Sequence, residues 1–288
     1  MPELPEVETI RLGLQKYLIG HKIIDVQIKV PKIFIGEKEA VIGAKIIGLK
    51  RIGKSLIIEL DNDFVLAIHL KMTGQLIYSD NKTKNLILSA KIGGATLPSR
   101  YTHIIFALDG NASLYYNDLR QFGWIKIVRK DELMEIPFFK EMGPEPFVAS
   151  SSGQASLTLE LFKKIVSSSN IAIKVLLMDQ KKIGGIGNIY ANDALFDAGI
   201  DPGRKAKSLT SEEIKKIYDS ILKVLKKGLE YGGSSDENFV NALGQEGNYQ
   251  NHALVYGKQG GRCQVCGGVI RKIKLGGRGT YFCPACQR

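Results

Sequence analysis

Four cysteines near the C-terminal end of the sequence have the spacing of a metal-binding module. Cys263 and Cys266 form one CxxC pair, and Cys283 and Cys286 form a second pair after 16 intervening residues. Two such pairs can place four thiolates tetrahedrally around Zn²⁺, so we predict one structural zinc ion, with iron or a redox pair as alternatives. Because four protein ligands leave no open coordination position, we expect the metal to stabilise the module and not to catalyse.

The residues between the two cysteine pairs indicate a β-hairpin. β-like runs at Val269–Leu275 and Thr280–Phe282 are joined by Gly276-Gly277-Arg278-Gly279, which puts Arg278 at the tip. An arginine at such a tip is either a solvated turn residue or a contact for a phosphate group. By itself the module indicates a zinc ribbon in a nucleic-acid-binding protein.

The N-terminal residues offer a different chemistry. An initiator methionine before a small residue is commonly removed, and its removal would expose the secondary amine of Pro2. An α-amino group titrates at about 7.7–8, so much of it is neutral at cellular pH and can attack an electrophilic sugar carbon to form an iminium. Glu3 is placed to shuttle protons. Taken alone, however, such a Pro-Glu pair is more often a simple exposed terminus.

The charge distribution favours a polyanionic partner. The sequence has 40 Lys and Arg against 29 Asp and Glu, a net charge of +11, and residues 247–288 contain basic but no acidic side chains. A lysine-rich composition could explain the bulk charge but not the acid-free C-terminal segment, and nucleic acid is the commonest partner of such a surface. Without a signal peptide or a long apolar run, we expect a cytoplasmic protein with no membrane association.

The apolar patterns predict an α+β fold. A helix with Pro5 in its first turn ends near Gly20, and many short strand-like runs broken by turn residues then indicate an antiparallel β-sandwich or barrel. The clearest runs are Ile23–Val30, Ser55–Leu60, Phe64–Leu70, His103–Leu108 and Trp124–Val128.

The C-terminal half changes to a helical period. Helices are predicted near 171–180, 189–199 and 208–231, the last with a capping box formed by Thr210 and Glu213. The domain prediction is a catalytic β-sandwich with flanking helices, a linker, a helical DNA-binding domain that includes a lesion loop, and a zinc finger, at 1–135, 136–153, 154–252 and 253–288 respectively. We expect a basic DNA cleft between the sandwich and the helical domain.

Five motifs occur in an order that resembles one family. The chain is similar nearly end to end to formamidopyrimidine-DNA glycosylases, bacterial base excision repair enzymes that excise 8-oxoguanine and ring-opened purines. Each short motif is weak alone, but the set with the zinc module is specific. The motifs are Pro2-Glu3-Leu4-Pro5-Glu6-Val7-Glu8-Thr9, His69-Leu70-Lys71-Met72-Thr73-Gly74, Asp118-Leu119-Arg120-Gln121-Phe122-Gly123, Gly187-Asn188-Ile189-Tyr190-Ala191 and Gly277-Arg278-Gly279-Thr280-Tyr281-Phe282-Cys283.

The resemblance implies a bifunctional glycosylase and AP lyase. Pro2 would attack the sugar C1′ and displace the base, and Glu3 would act as acid and base. Lys54 would assist at the sugar and phosphate, although without the family it would be interpreted as a solvated lysine at a strand end. Arg278 would grip the phosphates and stabilise the leaving phosphate in the second elimination. Zinc is the only cofactor implied.

The resemblance also implies DNA contacts. Met72, Arg120 and Phe122 match an insertion triad that fills the space of a flipped base, although a lone Met or Phe is usually core. The predicted partner is double-stranded DNA with oxidised bases or abasic sites, bound by a monomer. The remaining matched positions are His103, Lys174 and Asn188 on the DNA backbone, and Ser234, Ser235 and Tyr249 in a loop over the flipped base.

One departure and three alternatives remain open at this stage. Asp193 stands where the family usually has Glu, which could weaken the active-site geometry. A sister enzyme for oxidised pyrimidines, similar to endonuclease VIII, is the nearest alternative, and Leu4, Arg120 and Phe122 favour the purine enzyme. A non-enzymatic DNA-binding protein on the same scaffold is the second. A zinc-ribbon protein of the translation machinery explains only the C-terminal module.

Overall fold

The computed structural model describes residues 1–146 and 155–288, which form two compact units. The first unit contains Met1–Lys140 and Leu229–Asn248, and the second contains Glu141–Gly228 and Tyr249–Arg288. Of the predicted linker 136–153, residues 147–153 lie outside the described ranges, and 137–140 form a short helix.

Helix α1 (Leu4–Leu18) begins the first unit. Proline is tolerated in a first helical turn because its missing N–H would have no partner there, and Pro5 occupies that turn. One apolar face of the helix is buried, with Val7, Ile10 and Leu14 at most 1% exposed. The predicted helix and its N-terminal start are therefore confirmed.

Nine strands form two sheets in the first unit. One sheet has the order β1-β7-β8-β6 and the other the order β2-β9-β5-β4-β3. All neighbouring pairs are antiparallel except β2 with β9. The strands are β1 (Ile23–Ile28), β2 (Phe34–Ile35), β3 (Ile46–Ile52), β4 (Ser55–Leu60), β5 (Phe64–His69), β6 (Gly74–Ser79), β7 (Thr102–Leu108), β8 (Ala112–Asp118) and β9 (Trp124–Arg129).

A single apolar core lies between these sheets. It combines side chains from both, such as Phe106 of β7 and Ile58 of β4, with the buried face of α1. Side chains alternate between the two faces of a strand, so apolar residues can face the core. Polar residues lie at strand ends and in turns. The predicted α+β architecture with an N-terminal sandwich is confirmed.

Residues 229–248 complete the first unit instead of the helical domain in which the sequence placed them. The backbone N–H of Tyr78 donates to the carbonyl of Ala242 at 2.8 Å, and Gln75 Nε2 donates to the carbonyl of Asn238 at 2.7 Å. Ala242 also belongs to the core of the sandwich. Both β6 hydrogen bonds join residues far apart in sequence, so no local pattern predicts this return.

Helices and a hairpin make up the second unit, after the short α2 (Pro137–Lys140) that ends the first stretch. The predicted capping box of α6 is present, because Thr210 N donates to Glu213 and Glu213 N donates to Thr210 Oγ1. No described helix is both long and apolar enough to cross a membrane. The elements are α3 (Leu159–Ser167), α4 (Ile173–Met178), α5 (Asn188–Asp197), α6 (Ser211–Glu230, whose last residues count with the first unit), β10 (Arg271–Leu275) and β11 (Arg278–Phe282).

Candidate functional site

The predicted nucleophile and its proton carrier lie at the start of α1. Pro2 is buried and Glu3 is 3% exposed, although a charged residue at a chain terminus is normally solvated. Glu3 caps the helix in a reciprocal capping box in which its own N–H donates to Glu6 Oε2 at 2.7 Å. The amine of Met1 forms an ion pair with Glu237 at 3.0 Å. This ion pair belongs to the chain that still carries Met1, in which the Pro2 nitrogen is part of a peptide bond.

Glu6 connects this helix start to the returning loop. Its Oε2 accepts from Glu3, and its Oε1 accepts from the N–H of Ser234 at 2.8 Å. Gly233 beside it has φ +83°, and an added Cβ would lie 2.9 Å from Phe239 and 3.0 Å from Glu6, so glycine is required. The Oγ of Ser234 is buried and, among the described residues, has no hydrogen-bond partner. It can therefore bond to a ligand.

Lys54 follows a turn that is held by a buried ion pair. Arg51 is completely buried and donates to Glu8 at 3.1 Å and to the carbonyl of Gly53 at 2.8 Å. Lys54 is 5% exposed and not the solvated residue expected without the family. Burial acts to raise the pKa of Glu8, but Arg11 and Arg51 outweigh it and hold this pKa below its usual value. Arg51 therefore fixes the turn that presents Lys54.

His69 is a neutral packing residue in this region. Burial, with the charges of Lys71 and Lys54, lowers its pKa to about 3. The Nδ1 atom accepts from the backbone N–H of Lys71 at 2.9 Å, and the ring lies against Trp124 and Phe138. His69 thereby shapes the turn that precedes Met72.

Asp118 organises the three predicted wedge residues. It is completely buried, and its carboxylate accepts from the hydroxyl of Thr73, the N–H of Arg120 and the N–H of Gly123. Thr73 follows Met72, and Gly123 follows Phe122, so one carboxylate joins the β5–β6 turn to the β8–β9 turn. Asp118 belongs to one of the family motifs, but the sequence alone did not predict this role for it.

The wedge residues themselves are accessible. Phe122 is 55% exposed, with the guanidinium of Arg120 4.6 Å from its ring centroid, and Met72 is half-buried. A phenyl ring that served as core would be buried. The exposed ring of Phe122 instead suits insertion into a base stack. His103 is 9% exposed and its Nε2 donates to the carbonyl of Asp118 at 2.8 Å. This hydrogen bond therefore stabilises the β8–β9 turn that carries Arg120 and Phe122.

The four cysteines of the second unit fit a tetrahedral metal site. Their sulfur atoms all lie within 4.8 Å of one another, with 3.7 Å between Cys263 and Cys286 and 3.4 Å between Cys266 and Cys283. Zinc–sulfur bonds of about 2.3 Å require sulfur–sulfur separations of about 3.8 Å, so the spacing suits one Zn²⁺. The zinc prediction is supported by both geometry and ligand type.

Arg278 lies beside the turn of the zinc-finger hairpin. It pairs with Leu275 across a two-residue turn in which Gly276 and Gly277 have φ of 52° and 76°, values that favour glycine at both positions. Arg278 itself is exposed, as a phosphate contact requires. The predicted hairpin occurs, but Arg278 is the first residue of β11, and the tip is formed by Gly276 and Gly277 alone.

Lys174 bonds to the zinc-finger hairpin, whereas the resemblance predicts that it contacts the DNA backbone. It is completely buried in α4, and its Nζ donates to the carbonyl of Gly279 at 2.8 Å and to Thr280 Oγ1 at 2.7 Å. From α5, Asn192 Oδ1 accepts from the N–H of Tyr281 at 2.8 Å. Lys174 thus anchors the hairpin that carries Arg278, and its contact with the DNA backbone stays a prediction.

Asn188 lies at a helix start, where a phosphate can bind. It is the first residue of α5, half-buried, and follows a glycine loop held by Gln180, whose amide bonds to Gly185 and Ile186. The N–H groups at the start of a helix lack intrahelical partners and attract anions. This geometry is compatible with the predicted backbone contact.

Tyr249 belongs to the second unit, whereas Ser234 and Ser235 belong to the first. Its ring is completely buried against Tyr190, and its hydroxyl donates to Asp193 at 2.9 Å. Asp193 is also completely buried and accepts from the N–H groups of residues 254, 255 and 256. Burial raises the pKa of Asp193, and the hydrogen bonds partly offset this. The carboxylate of Asp193 therefore joins α5 to Tyr249 and to residues 254–256.

Comparison with known families covers most of the chain. The formamidopyrimidine-DNA glycosylase N-terminal domain matches residues 1–125, and the H2TH domain of the same enzymes matches residues 142–239. The chain belongs to the formamidopyrimidine-DNA glycosylase family. A zinc finger found in FPG and IleRS matches residues 260–288. The family consists of DNA glycosylases with AP lyase activity, so this chain is an enzyme of that class, and a translation zinc ribbon is excluded.

Similar proteins extend over the whole length. A formamidopyrimidine-DNA glycosylase of Pelotomaculum thermopropionicum is 41% identical, with 100% of this chain and 99% of the relative covered. The solved Lactococcus lactis Fpg with N7-benzyl-Fapy-dG DNA is 35% identical with a TM-score of 0.86, and both chains are covered completely. MutM with carbocyclic 8-oxo-G DNA is also 35% identical, with a TM-score of 0.85 and complete coverage of both chains. A further Lactococcus lactis complex, 34% identical with a TM-score of 0.85 and the same coverage, contains an oxidised pyrimidine.

Proposed function

We propose that this enzyme excises oxidised purines from double-stranded DNA through an imine on Pro2 and then cuts the strand by β,δ-elimination. The observation that carries the proposal is the buried start of α1, where Glu6 bonds both to Glu3 and to the loop residue Ser234. A buried carboxylate beside a terminal amine is the arrangement that amine-based covalent catalysis requires.

The first step joins the amine to the sugar. The lone pair of the Pro2 nitrogen forms a bond to C1′ as the glycosidic bond breaks towards the base, the nitrogen gives up its N–H proton, and a proton completes the departing base. The C1′–O4′ bond then breaks, O4′ takes a proton, and the nitrogen and C1′ form the iminium. Glu3 is assigned as the proton carrier because it is buried next to Pro2. Buried Lys54 is assigned to the sugar and its phosphate, since its turn is held by Arg51.

Two eliminations then cut the strand. The iminium acidifies the C2′ proton, and its removal expels the 3′ phosphate. A second elimination expels the 5′ phosphate, which leaves a one-nucleotide gap. Arg278 is assigned to a phosphate because it is exposed next to a glycine turn whose hairpin is fixed by Lys174. A fixed cation stabilises the charge that develops on a leaving phosphate.

Base extrusion precedes this chemistry, because C1′ is not accessible to a protein amine while the base is stacked. Met72 and Phe122 are assigned to the vacated stack and Arg120 to the orphaned base, since Asp118 joins their turns and leaves Phe122 exposed. Ser234 is assigned to the flipped base. Its Oγ is buried and has no hydrogen-bond partner among the described residues, so it can bond to a base.

The purine assignment rests on relatives with complexes of Fapy-dG and 8-oxo-G DNA. Oxidised pyrimidines form a second candidate substrate, because the Lactococcus lactis protein has also been solved with DNA that contains one. We place the enzyme in the cytoplasm, where bacterial DNA is found.

Borohydride trapping tests the nucleophile and the substrate together. The duplex would carry 8-oxoguanine opposite cytosine, with a 5-hydroxyuracil duplex in parallel and N-terminal mass analysis of the protein. We expect an adduct that maps to Pro2, and faster trapping on the purine duplex. The matched control keeps one extra residue before Pro2, which turns the amine into an amide and should abolish the adduct.

The Glu3→Gln variant separates the roles at this site. It should lose base excision but still form an adduct with a preformed abasic site, since no base has to leave. An adduct on a lysine would refute the assignment of Pro2. Binding without any adduct, in protein that has lost Met1, would leave only a DNA-binding scaffold.

A further inference from the structure

The loop between β6 and β7 contacts the candidate lesion loop, here defined as residues 232–248. Four polar contacts come from two residues, Ser89 and Lys91. The N–H of Ser89 donates to the carbonyl of Gly244 at 2.9 Å, and its hydroxyl donates to Glu246 at 2.6 Å. Lys91 forms an ion pair with Glu246 at 2.8 Å. None of these contacts takes part in the chemistry assigned above.

Lys91 reaches both ends of the lesion loop. Its Nζ donates to the backbone carbonyl of Ser235, next to Ser234, and also to Glu246 near the other end. The two ends are joined again where Gly247 N donates to Ser235 Oγ at 2.9 Å. A single ammonium group thus closes the base of the loop.

Apolar contacts support the same arrangement. Leu88 and Ile92 belong to a small cluster with Ile77 of β6 and Val240 of the lesion loop. Gly244 has φ +75°, and a Cβ there would lie 2.7 Å from Leu88, so the two loops are in close contact. The hydrogen bonds of Lys91 and Ser89 to Glu246 also lower the pKa of that carboxyl, which keeps it ionised near neutral pH.

We propose that Ser89 and Lys91 are positioning residues for base recognition, which hold the lesion loop in its folded form before a base arrives. The inference rests on the proposed function, since it assumes that Ser234 faces the flipped base. A loop that is already ordered loses less conformational entropy on capturing the base. The contacts of Ser89 and Lys91 with the lesion loop, here called the clamp, therefore matter for substrates that carry a base, and not for an abasic site.

The test compares two substrates under single-turnover conditions, an 8-oxoguanine duplex and an abasic duplex. Lys91→Met removes the charge but keeps an apolar stem, and it should slow 8-oxoguanine excision about tenfold with abasic cleavage changed less than about twofold. Glu246→Gln should act in the same direction, and the double variant should be no slower than Lys91→Met. The matched control is Lys84→Met, since the exposed side chain of Lys84 in the same loop bonds only to Asn81 among the contacts described, and the change should alter neither rate.

Hydrogen exchange of the free protein provides a second readout that is independent of catalysis. Lys91→Met should raise amide exchange in residues 234–247 and leave β4 and β5 protected. Equal loss on both substrates, no loss on either, or unchanged exchange would overturn the clamp. A wild-type protein that processes neither substrate, but whose lesion loop loosens in Lys91→Met, would instead overturn the proposed function and retain the clamp.

Discussion

The start of α1 and the zinc-finger hairpin solve the same positioning problem in different ways. Glu3 and Lys54 are buried within a unit whose sandwich core combines two sheets and a helix. Arg278 is exposed, and its module is supported by a cluster of only five buried side chains, two of which are cysteines. The start of α1 is held by a large apolar core. The hairpin is held by a metal site and by two buried polar residues, Lys174 and Asn192.

The difference follows from what each site must reach. A nucleophile has to meet one carbon atom in a fixed orientation, and a misplacement of about 1 Å is costly, so it belongs in a rigid core. A phosphate is a diffuse charge on the DNA surface, and an exposed guanidinium can grip it. A module of about 30 residues cannot bury enough apolar surface to fold alone, which explains the need for zinc. Four changes should separate the two regions.

Loss of the metal should have the largest effect, and it should be local. In Cys283→Ser the second CxxC pair loses a thiolate that is completely buried, and structural zinc supplies about 10–16 kcal/mol of apparent binding energy. We expect zinc loss, rapid amide exchange over residues 258–288 and loss of DNA binding, with protection in the sandwich retained. Val265→Ser, at a 74% exposed neighbour, is the control and should keep its zinc. Persistent protection of the metal-free hairpin would show that apolar contacts suffice.

Removal of Arg51 should come next and should affect the whole first unit. The change Arg51→Met leaves Glu8 with one fewer cationic partner in a buried site, which costs about 3–5 kcal/mol. Urea unfolding would measure it. Lys50→Met is the neighbouring control, because its ion pair with Glu59 is partly solvated and contributes about 0–1 kcal/mol. If the double variant with Glu8→Gln is as unstable as Arg51→Met alone, charge burial is not the cause.

Lys174 should show the intermediate behaviour of a polar anchor. Lys174→Met keeps the apolar stem but leaves the Gly279 carbonyl and the Thr280 hydroxyl without their charged donor, at about 1.5–3 kcal/mol. We expect faster exchange in β10 and β11 and slower strand cleavage, with zinc retained. Lys272→Met, on the exposed face of the hairpin, controls for the loss of charge. Reduced DNA binding without any change in exchange would restore the direct phosphate contact predicted from the sequence.

The last change is a pH dependence of the first unit, which has no effect at neutral pH and grows only as the solution is acidified. The folded pKa of His69, about 3, lies below its usual value of 6.5, so the unfolded chain binds a proton that the folded ring excludes. Stability from this group is complete above about pH 6.5 and falls towards pH 3 by about 1.4 kcal/mol per unit. His69→Gln should remove this slope from the urea midpoints between pH 6.5 and 4. An unchanged slope would assign it to other groups.

Local features were predicted well from the sequence. The strand Ser55–Leu60, the capping box at Thr210 and Glu213, and the cysteine module all occur where predicted, because each depends on residues close together in the chain. The strands at 46–52, 74–79 and 112–118 were not singled out, although the predicted sandwich needs them. Roles for Pro2, Glu3, Lys54 and the wedge residues came from the family resemblance and remain assignments to be tested.

What the sequence by itself determined is the chemistry available: a terminal proline beside a glutamate, four thiolates, an arginine next to a glycine turn, and the family to which they belong. Only the tertiary structure decided which polar residues support that chemistry. Asp118, Arg51 and Lys174 act through hydrogen bonds to distant or adjoining turns, and Ser234 reaches Glu6 across 228 positions of sequence. Such contacts depend on burial and long-range chain return, and residue types and spacing do not encode either locally.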